Sequence, residues 1–504
     1  MNELASKLME AFSVFQDRPA LEVGEEVLTY ADLEGAAWAF AGQLRKNTPD
    51  GSRIGLLAQR TVAAYVAILG SVLAARPYVP INPKFPTERQ KAIAAAANCA
   101  VYVFDCNSGD AAEALAREFG GRAVTPDARQ RASRGVARDG RHAYVMFTSG
   151  TTGTPKGVAV RYDNVGSYVD AFAKIARIGA TDRCTQLFDL SFDLSVHDMM
   201  VTWTSGACLC VPGDDELIDP VGFAIRKQLT CWFSVPSVAA MAKRMRRLTA
   251  GALPLLRLSL FCGEALPTSV AVSWAEAAPN SALWNLYGPT EATIAIAAYR
   301  FDTRDADGIT TTVPLGQAYD NCALAVVDRE GKPVELGEEG ELMLAGAQIT
   351  DGYVNNPEEQ RAKFIQLAVP GQPFEAWYRS GDLVRRDPDR GLVYQSRLDD
   401  QIKISGYRVE LFEIEEALRR AAENPEVAVV PWPISDGGSA RGVVAFIAGH
   451  QPAAREVLSR CRAILPSYMV PKRIIAIDAL PLNANGKVDR RALRAKYLEV
   501  ELGA

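Results

Sequence analysis

The sequence predicts an α/β protein: a large N-terminal domain of mixed β-sheets covered by helices, then a small α+β C-terminal domain. Three observations predict this. Short β-like runs alternate with helical patterns over most of the 504 residues, which favours sheets layered with helices. Hydrophobic residues make up 48% of the chain, enough for a sizeable core. The texture then changes after Arg397, which places a boundary at about Asp399 and divides the chain into 1–398 and 399–504.

The elements follow in order. Residues 52–57 read as a strand that feeds a helix beginning near Thr61. The apolar stretch 63–75, bracketed by Arg60 and Arg76, is too short to span about 30 Å of hydrocarbon and reads as a buried helix. Residues 100–104, 144–147 and 258–262 read as strands, the last running into Gly263. The Arg-rich segment 121–141 is either a solvated loop or an approach to a phosphate site. In the small domain, Leu411, Ile414 and Leu418 share one helical face, with acidic residues early and basic residues late, as the helix dipole favours. Strand-like runs at 427–430 and 442–447 and a second helix near 455–463 complete it.

Composition excludes several classes. A net charge of −5 gives no general field for nucleic acid. The nine cysteines are scattered, mostly in apolar runs, and read as buried small hydrophobes in a reducing compartment. Cys208 and Cys210 would share one face of a strand. With three histidines in the chain and no further Cys or His pair at ligand spacing, no zinc site is expected there. The N-terminus lacks the pattern of a signal peptide, so a soluble cytoplasmic protein without membrane insertion is expected.

Chemistry is concentrated in one loop. Thr148-Ser149-Gly150-Thr151-Thr152-Gly153-Thr154-Pro155-Lys156-Gly157 follows a strand and clusters N–H and O–H donors beside a lysine, which suits a phosphate. It is not a Walker A loop, because the G-x-x-x-x-G-K-[ST] spacing is absent.

The loop resembles the signature of the adenylate-forming superfamily: acyl-CoA synthetases, luciferases and the amino-acid adenylation domains of nonribosomal peptide synthesis. Further runs match in the family's order. Asn285-Leu286-Tyr287-Gly288-Pro289-Thr290-Glu291 is similar to the adenine-and-metal motif, and Tyr378-Arg379-Ser380-Gly381-Asp382 to the ribose motif. Arg397-Leu398-Asp399-Asp400-Gln401-Ile402-Lys403 resembles the hinge, with Ser396 where the family usually has Gly. Leu465-Pro466-Ser467-Tyr468-Met469 and Asn483-Ala484-Asn485-Gly486-Lys487 match the last two. The stretch Ala75-Arg76-Pro77-Tyr78-Val79-Pro80-Ile81-Asn82 departs from the family's Gly-Ala and Asp at matching places, which is expected to affect packing more than catalysis.

The resemblance implies ATP and Mg²⁺ as cofactors and attack of a carboxylate on the α-phosphate, with loss of pyrophosphate. It implies that Glu291 holds Mg²⁺, Lys487 bridges the carboxylate and the α-phosphate, and Asp382, assisted by Arg397, takes the ribose hydroxyls. Tyr287 would stack on adenine, and the loop residues Thr148, Ser149, Gly150, Thr151, Thr152, Gly153 and Lys156, with Asn285, Gly288 and Thr290, would complete the nucleotide site. Asp399 is the implied hinge of a mobile small domain that presents Lys487 in one pose and Lys403 in the other. Taken singly, Glu291 is equally consistent with a helix N-terminal carboxylate, Asp382 with a turn former and Lys487 with a solvated loop charge.

The substrate is read from a doubled Phe-Asp-Leu-Ser. Only the second copy is followed at the family's spacing by an acidic residue and Met, so Asp193 is the carboxylate implied to pair with an α-ammonium. The competing reading is a helix-capping Asp. The remaining pocket positions are Leu194, His197, Leu260, Cys262, Gly263, Leu286, Ile294 and Ala295, a small and mostly apolar cup suited to a small side chain. The runs around Asp193 and Cys262 look particularly like D-alanine–carrier-protein ligases, from which His197 departs. No carrier attachment site follows Arg490, so the expected acceptor is the phosphopantetheine thiol of a separate carrier protein. The alternative is an acyl- or aryl-CoA ligase acting on a non-amino acid.

Overall fold

The computed structural model describes residues 3–150, 155–308, 311–434, 438–449, 453–483 and 488–502. The chain forms two compact units. One comprises 1–83, 93–147 and 157–398; the other comprises 84–92, 148–156 and 399–504.

The large unit is built on mixed sheets, as its alternating pattern predicts. A nine-stranded sheet runs through Cys231–Ser234, Leu258–Phe261 and Ala282–Tyr287, which pair in parallel, with Ala297–Phe301 antiparallel beyond them. Phe233, Leu260 and Trp284 are in register, as are Ser234, Phe261 and Asn285. The carboxyl ends of these parallel strands lead directly into Cys262-Gly263 and Tyr287-Gly288, the edge at which open α/β sheets hold their ligands. A seven-stranded sheet carries Arg53–Leu57, Cys99–Phe104 and His142–Thr148. A five-stranded sheet carries Ala376–Asp387 and Gly391–Arg397.

The apolar stretch forms the helix Val62–Ala74, started by the Thr61 side chain accepting from the Ala64 N–H and buried along nearly its whole length. No helix among the described residues is long and apolar enough to cross a membrane. The Arg-rich segment contributes one short strand, Arg122–Val124. Beyond it, Arg131 pairs with Asp32, Arg134 with Glu34 and Arg138 with Asp50. Those arginines strap the segment across the helix Tyr30–Asn47 and the turn after it.

In the second unit, the helix Leu411–Ala422 buries Leu411, Ile414 and Leu418 as its periodicity predicts. It also buries Glu413 and Glu415, which periodicity does not predict. Their charges are met by Arg89 and Arg490 respectively, so burial is tolerated. The helix packs on a three-stranded sheet of Val427–Pro431, Val443–Ala448 and Arg473–Ile477. A hairpin of Gln401–Ile404 and Tyr407–Glu410 turns at Ser405 and Gly406, both with positive φ (49° and 87°), the geometry that fits two-residue hairpin loops.

Candidate active site

Asp193 stands at the N-cap position of the helix Leu194–Thr204, where a capping carboxylate would be expected. Its side chain makes no cap hydrogen bond. Instead Oδ2 accepts the backbone N–H of Ile294 at 3.1 Å, a contact across a hundred residues of sequence. The first copy of the repeat behaves differently. Asp189 accepts the Ser191 N–H (2.9 Å) and hydroxyl (2.6 Å) two residues on, and its other oxygen accepts Asn82 Nδ2 (2.5 Å) from far upstream. One Asp of the doubled motif serves a turn and the other faces a distant loop.

That loop is strained. Thr293 and Ile294 both have left-handed backbones (φ 54° and 71°), a conformation β-branched residues adopt rarely and at a cost of about 1–3 kcal/mol each. Gln348, fully buried, holds it there: its Nε2 lies 3.3, 3.2 and 2.5 Å from the carbonyls of Ala292, Thr293 and Ala295. The Thr293 hydroxyl returns a bond of 2.6 Å to the Gln348 carbonyl. Gly288 lets the same loop pass close by, because a Cβ there would sit 2.6 Å from the Ala295 Cα. Gly263, at φ 89°, supplies the turn after Cys262.

Leu194, His197, Leu260, Cys262, Leu286, Ile294 and Ala295 are all buried. All except His197 fall within one hydrophobic cluster, together with Tyr168, Phe172, Phe233 and Tyr319. His197 fills the space between the aromatics: its ring lies 4.7 Å from Phe172 and 4.5 Å from Phe233, and Nδ1 is 2.6 Å from the Tyr168 hydroxyl. Burial pushes its pKa down from 6.5 to about 3, so it is neutral near pH 7. Its neighbour Asp198 is also buried. Its Oδ2 has no partner among the described residues, and burial pushes its carboxyl well above 3.8. At the positions that depart from the family, Arg76 is buried and pairs with Asp50 at 2.8 Å, and Asn82 donates to Asp189 at 2.5 Å.

The nucleotide-motif residues form a second group. The Asp382 carboxylate accepts from Arg397 Nη1 at 2.8 Å and from the Tyr287 hydroxyl at 2.5 Å, and Arg397 also reaches the Ser380 carbonyl at 2.8 Å. Burial first, and then the Asp382 charge, hold the Tyr287 phenol well above its usual range. Glu291 is fully buried within the turn Thr290–Ala292, and its Oε1 accepts from the Tyr353 hydroxyl at 2.7 Å. Asn285 pins a neighbouring loop through Nδ2 to the Pro314 carbonyl at 2.8 Å.

In the second unit, Ser149 donates to the Arg408 carbonyl at 2.9 Å, and Lys156 is buried close enough for its charge to act on the Glu410 carboxyl. Burial raises that carboxyl, while Arg408 and Lys156 oppose the rise. Asp399 accepts the Gln401 N–H at 3.3 Å, and Lys403 faces Arg408 across the hairpin. Thr151, Thr152, Gly153 and Lys487 lie outside the described residues.

Sequence reasoning missed Gln348, Tyr168, Phe233 and Tyr353. Tyr353 follows Asp351-Gly352 in a stretch that none of the matched motifs reaches, and Gln348 stands in an unremarkable run; neither carries a local signal.

The parallel strands end at Cys262-Gly263 and Tyr287-Gly288, the Asp193 carboxylate is held by the Ile294 amide, and Asp382 is paired with Arg397. The chain belongs to the AMP-binding enzymes: that family matches residues 8–354, and the AMP-binding enzyme C-terminal domain matches 413–487. It is 31% identical over 517 residues to the D-alanine–D-alanyl carrier protein ligase of Bacillus velezensis, covering 98% of this chain and all of that one. It is 35% identical over 492 residues to a linear gramicidin synthase polypeptide of Brevibacillus parabrevis, covering 95% of this chain and 6% of that one. Among solved structures, the Vibrio cholerae adenylation domain AlmE, in complex with glycyl-adenosine-5′-phosphate, superposes with a TM-score of 0.89 at 33% identity, covering 99% of this chain and 98% of that one.

Proposed function

We propose that this ligase activates glycine, with alanine the next best substrate, as the aminoacyl-adenylate and passes it to the phosphopantetheine thiol of a carrier protein. The observation that carries the reading is Asp193. It occupies a capping position without capping, and its carboxylate is oriented by the Ile294 amide beside a closed apolar cluster. A carboxylate so placed offers an α-ammonium an ion pair strengthened by burial, an interaction that a fatty or aryl acid has no group to make. The side chain has little room, because His197, Phe172 and Phe233 pack ring to ring behind Leu194 and Cys262. The glycyl-adenylate in AlmE and the D-alanine named for the Bacillus velezensis ligase support a very small substrate.

In the reaction, a substrate carboxylate oxygen bonds to the α-phosphorus of ATP and the bond to the bridging oxygen breaks, releasing pyrophosphate. Thiolate attack on the acyl carbon then expels AMP. Asp382, aligned by Arg397 and Tyr287, takes the ribose hydroxyls, and the loop from Thr148 to Lys156 meets the phosphates. The Glu291 carboxylate, oriented by Tyr353, is a hard single-oxygen donor of the kind Mg²⁺ uses when it keeps waters and substrate phosphates as its other ligands. Magnesium bound there would neutralise phosphate charge. Lys487 serves the adenylation half and Lys403 the thioester half, with Asp399 as the hinge.

Pyrophosphate exchange across the small L- and D-amino acids, with acetate and benzoate as amine-free controls, tests the reading. Glycine is expected to lead and the controls to be silent. Exchange driven by the controls alone would overturn it.

A further inference from the structure

The Cys208-Leu-Cys210 run is not used by the adenylation chemistry, and the fold gives it a third partner. Cys208–Val211 is a strand whose neighbour Pro19–Val23 sets Glu22 directly beside Cys210. The two Sγ atoms are 4.0 Å apart, and with a Glu22 oxygen all three possible ligand atoms lie within 4.8 Å of one another. No other such group of three occurs among the described residues.

We propose that Glu22, Cys208 and Cys210 form a binding site for a thiophilic divalent cation of the zinc class. The sulfur spacing fits: two thiolates at about 2.3 Å from a tetrahedral zinc stand about 3.8 Å apart. A disulfide fits less well, because residues two apart on a strand have Cα atoms about 6.6 Å apart, near the upper limit for bridging. The surroundings allow the exchange. The cation enters as the two thiol protons leave, so the local net charge is unchanged. Both cysteines are buried at the edge of a hydrophobic cluster, and Glu22 with its ionic partners Arg183 and Lys227 covers them on the side that is partly exposed. Arg183 and Lys227 each hold a Glu22 oxygen at 2.6 Å, with side chains 28% and 20% exposed. Lys227 can swing into solvent and release the oxygen the cation needs, which makes the site reversible rather than a prerequisite for folding.

The test is titration of the reduced, chelator-free protein with cadmium chloride, which takes the same ligands as zinc and reports thiolate bonds through an ultraviolet charge-transfer band. The wild-type protein is expected to saturate at one cadmium per chain, and zinc to displace it. Cys208→Ser and Cys210→Ser are expected to abolish the band, and Cys106→Ser, at an exposed thiol, to leave it. Glu22→Gln, which keeps both thiols, is expected to weaken binding about tenfold or more, and Lys227→Ala to strengthen it. Absence of a stoichiometric band, or its survival in the Cys208→Ser and Cys210→Ser proteins, would overturn the proposal. Should the serine variants fail to fold, unchanged cadmium affinity in both Glu22→Gln and Lys227→Ala would overturn it equally.

Discussion

Replacing Gln348 by Met keeps the length and bulk of the side chain and removes the amide that holds the loop at Thr293 and Ile294. Three carbonyls, those of Ala292, Thr293 and Ala295, lose their donor in a fully buried position. Two lost amide protons correspond to about 2–3 kcal/mol when the acceptors stay buried. Relaxation of the two left-handed residues returns part of the strain, about 1–3 kcal/mol per residue, so net stability falls by only about 1–2 kcal/mol. The loss at the site is larger in proportion. The Ile294 N–H turns away from Asp193, and a hydrogen bond to a charged carboxylate is worth about 1.5–3 kcal/mol. Pyrophosphate exchange should therefore show the amino-acid KM rising about 10- to 100-fold, with a much smaller change in the ATP KM. A clear drop in melting temperature with an unchanged amino-acid KM would refute the reasoning, because the loop would then be structural alone.

Two further predictions concern the groups around this centre. Asp198 has a folded-state pKa raised above 3.8, so it favours the folded state fully below that pH and loses this contribution as pH rises past it. Asp198→Asn should thus melt higher than wild type at pH 7.5 and at much the same temperature at pH 3.5; His197, lowered by burial from 6.5 to about 3, acts in the opposite sense, its contribution present above pH 6.5 and lost as the pH falls towards 3. Arg397→Ala should raise the ATP KM about tenfold in the exchange assay and leave the amino-acid KM in place, because Asp382 keeps Tyr287 but loses its cationic partner.

What the sequence made legible was whatever is local. The strand at 258–262, the buried helix after Thr61 and the apolar face of Leu411, Ile414 and Leu418 are set by patterns a few residues long, and each formed where its pattern lay. The doubled Phe-Asp-Leu-Ser is a local pattern too, but telling its copies apart took the family's spacing, and their different partners, Ser191 for Asp189 and the Ile294 amide for Asp193, show only in the fold. What stayed hidden depends on chain segments meeting from afar. Gln348 acts on a loop more than fifty residues before it, and Tyr168 meets His197 across 29 residues. Glu22 joins Cys210 only because two parallel strands share a register. The arginines after residue 121 gave no hint of their acidic partners on and after the helix Tyr30–Asn47. Burial of Glu413 was equally unreadable, since its licence is Arg89, far upstream.

The central claim is that the Asp193 carboxylate receives a protonated amine. Its most direct test is glycine-dependent pyrophosphate exchange by the wild-type protein and by Asp193→Asn, which keeps the shape and removes the charge. Stranding one half of a buried charge pair costs about 3–5 kcal/mol, so kcat/KM for glycine is predicted to fall by a factor of about 10²–10⁴ with the ATP KM unchanged. Exchange by Asp193→Asn at the wild-type rate would contradict the account.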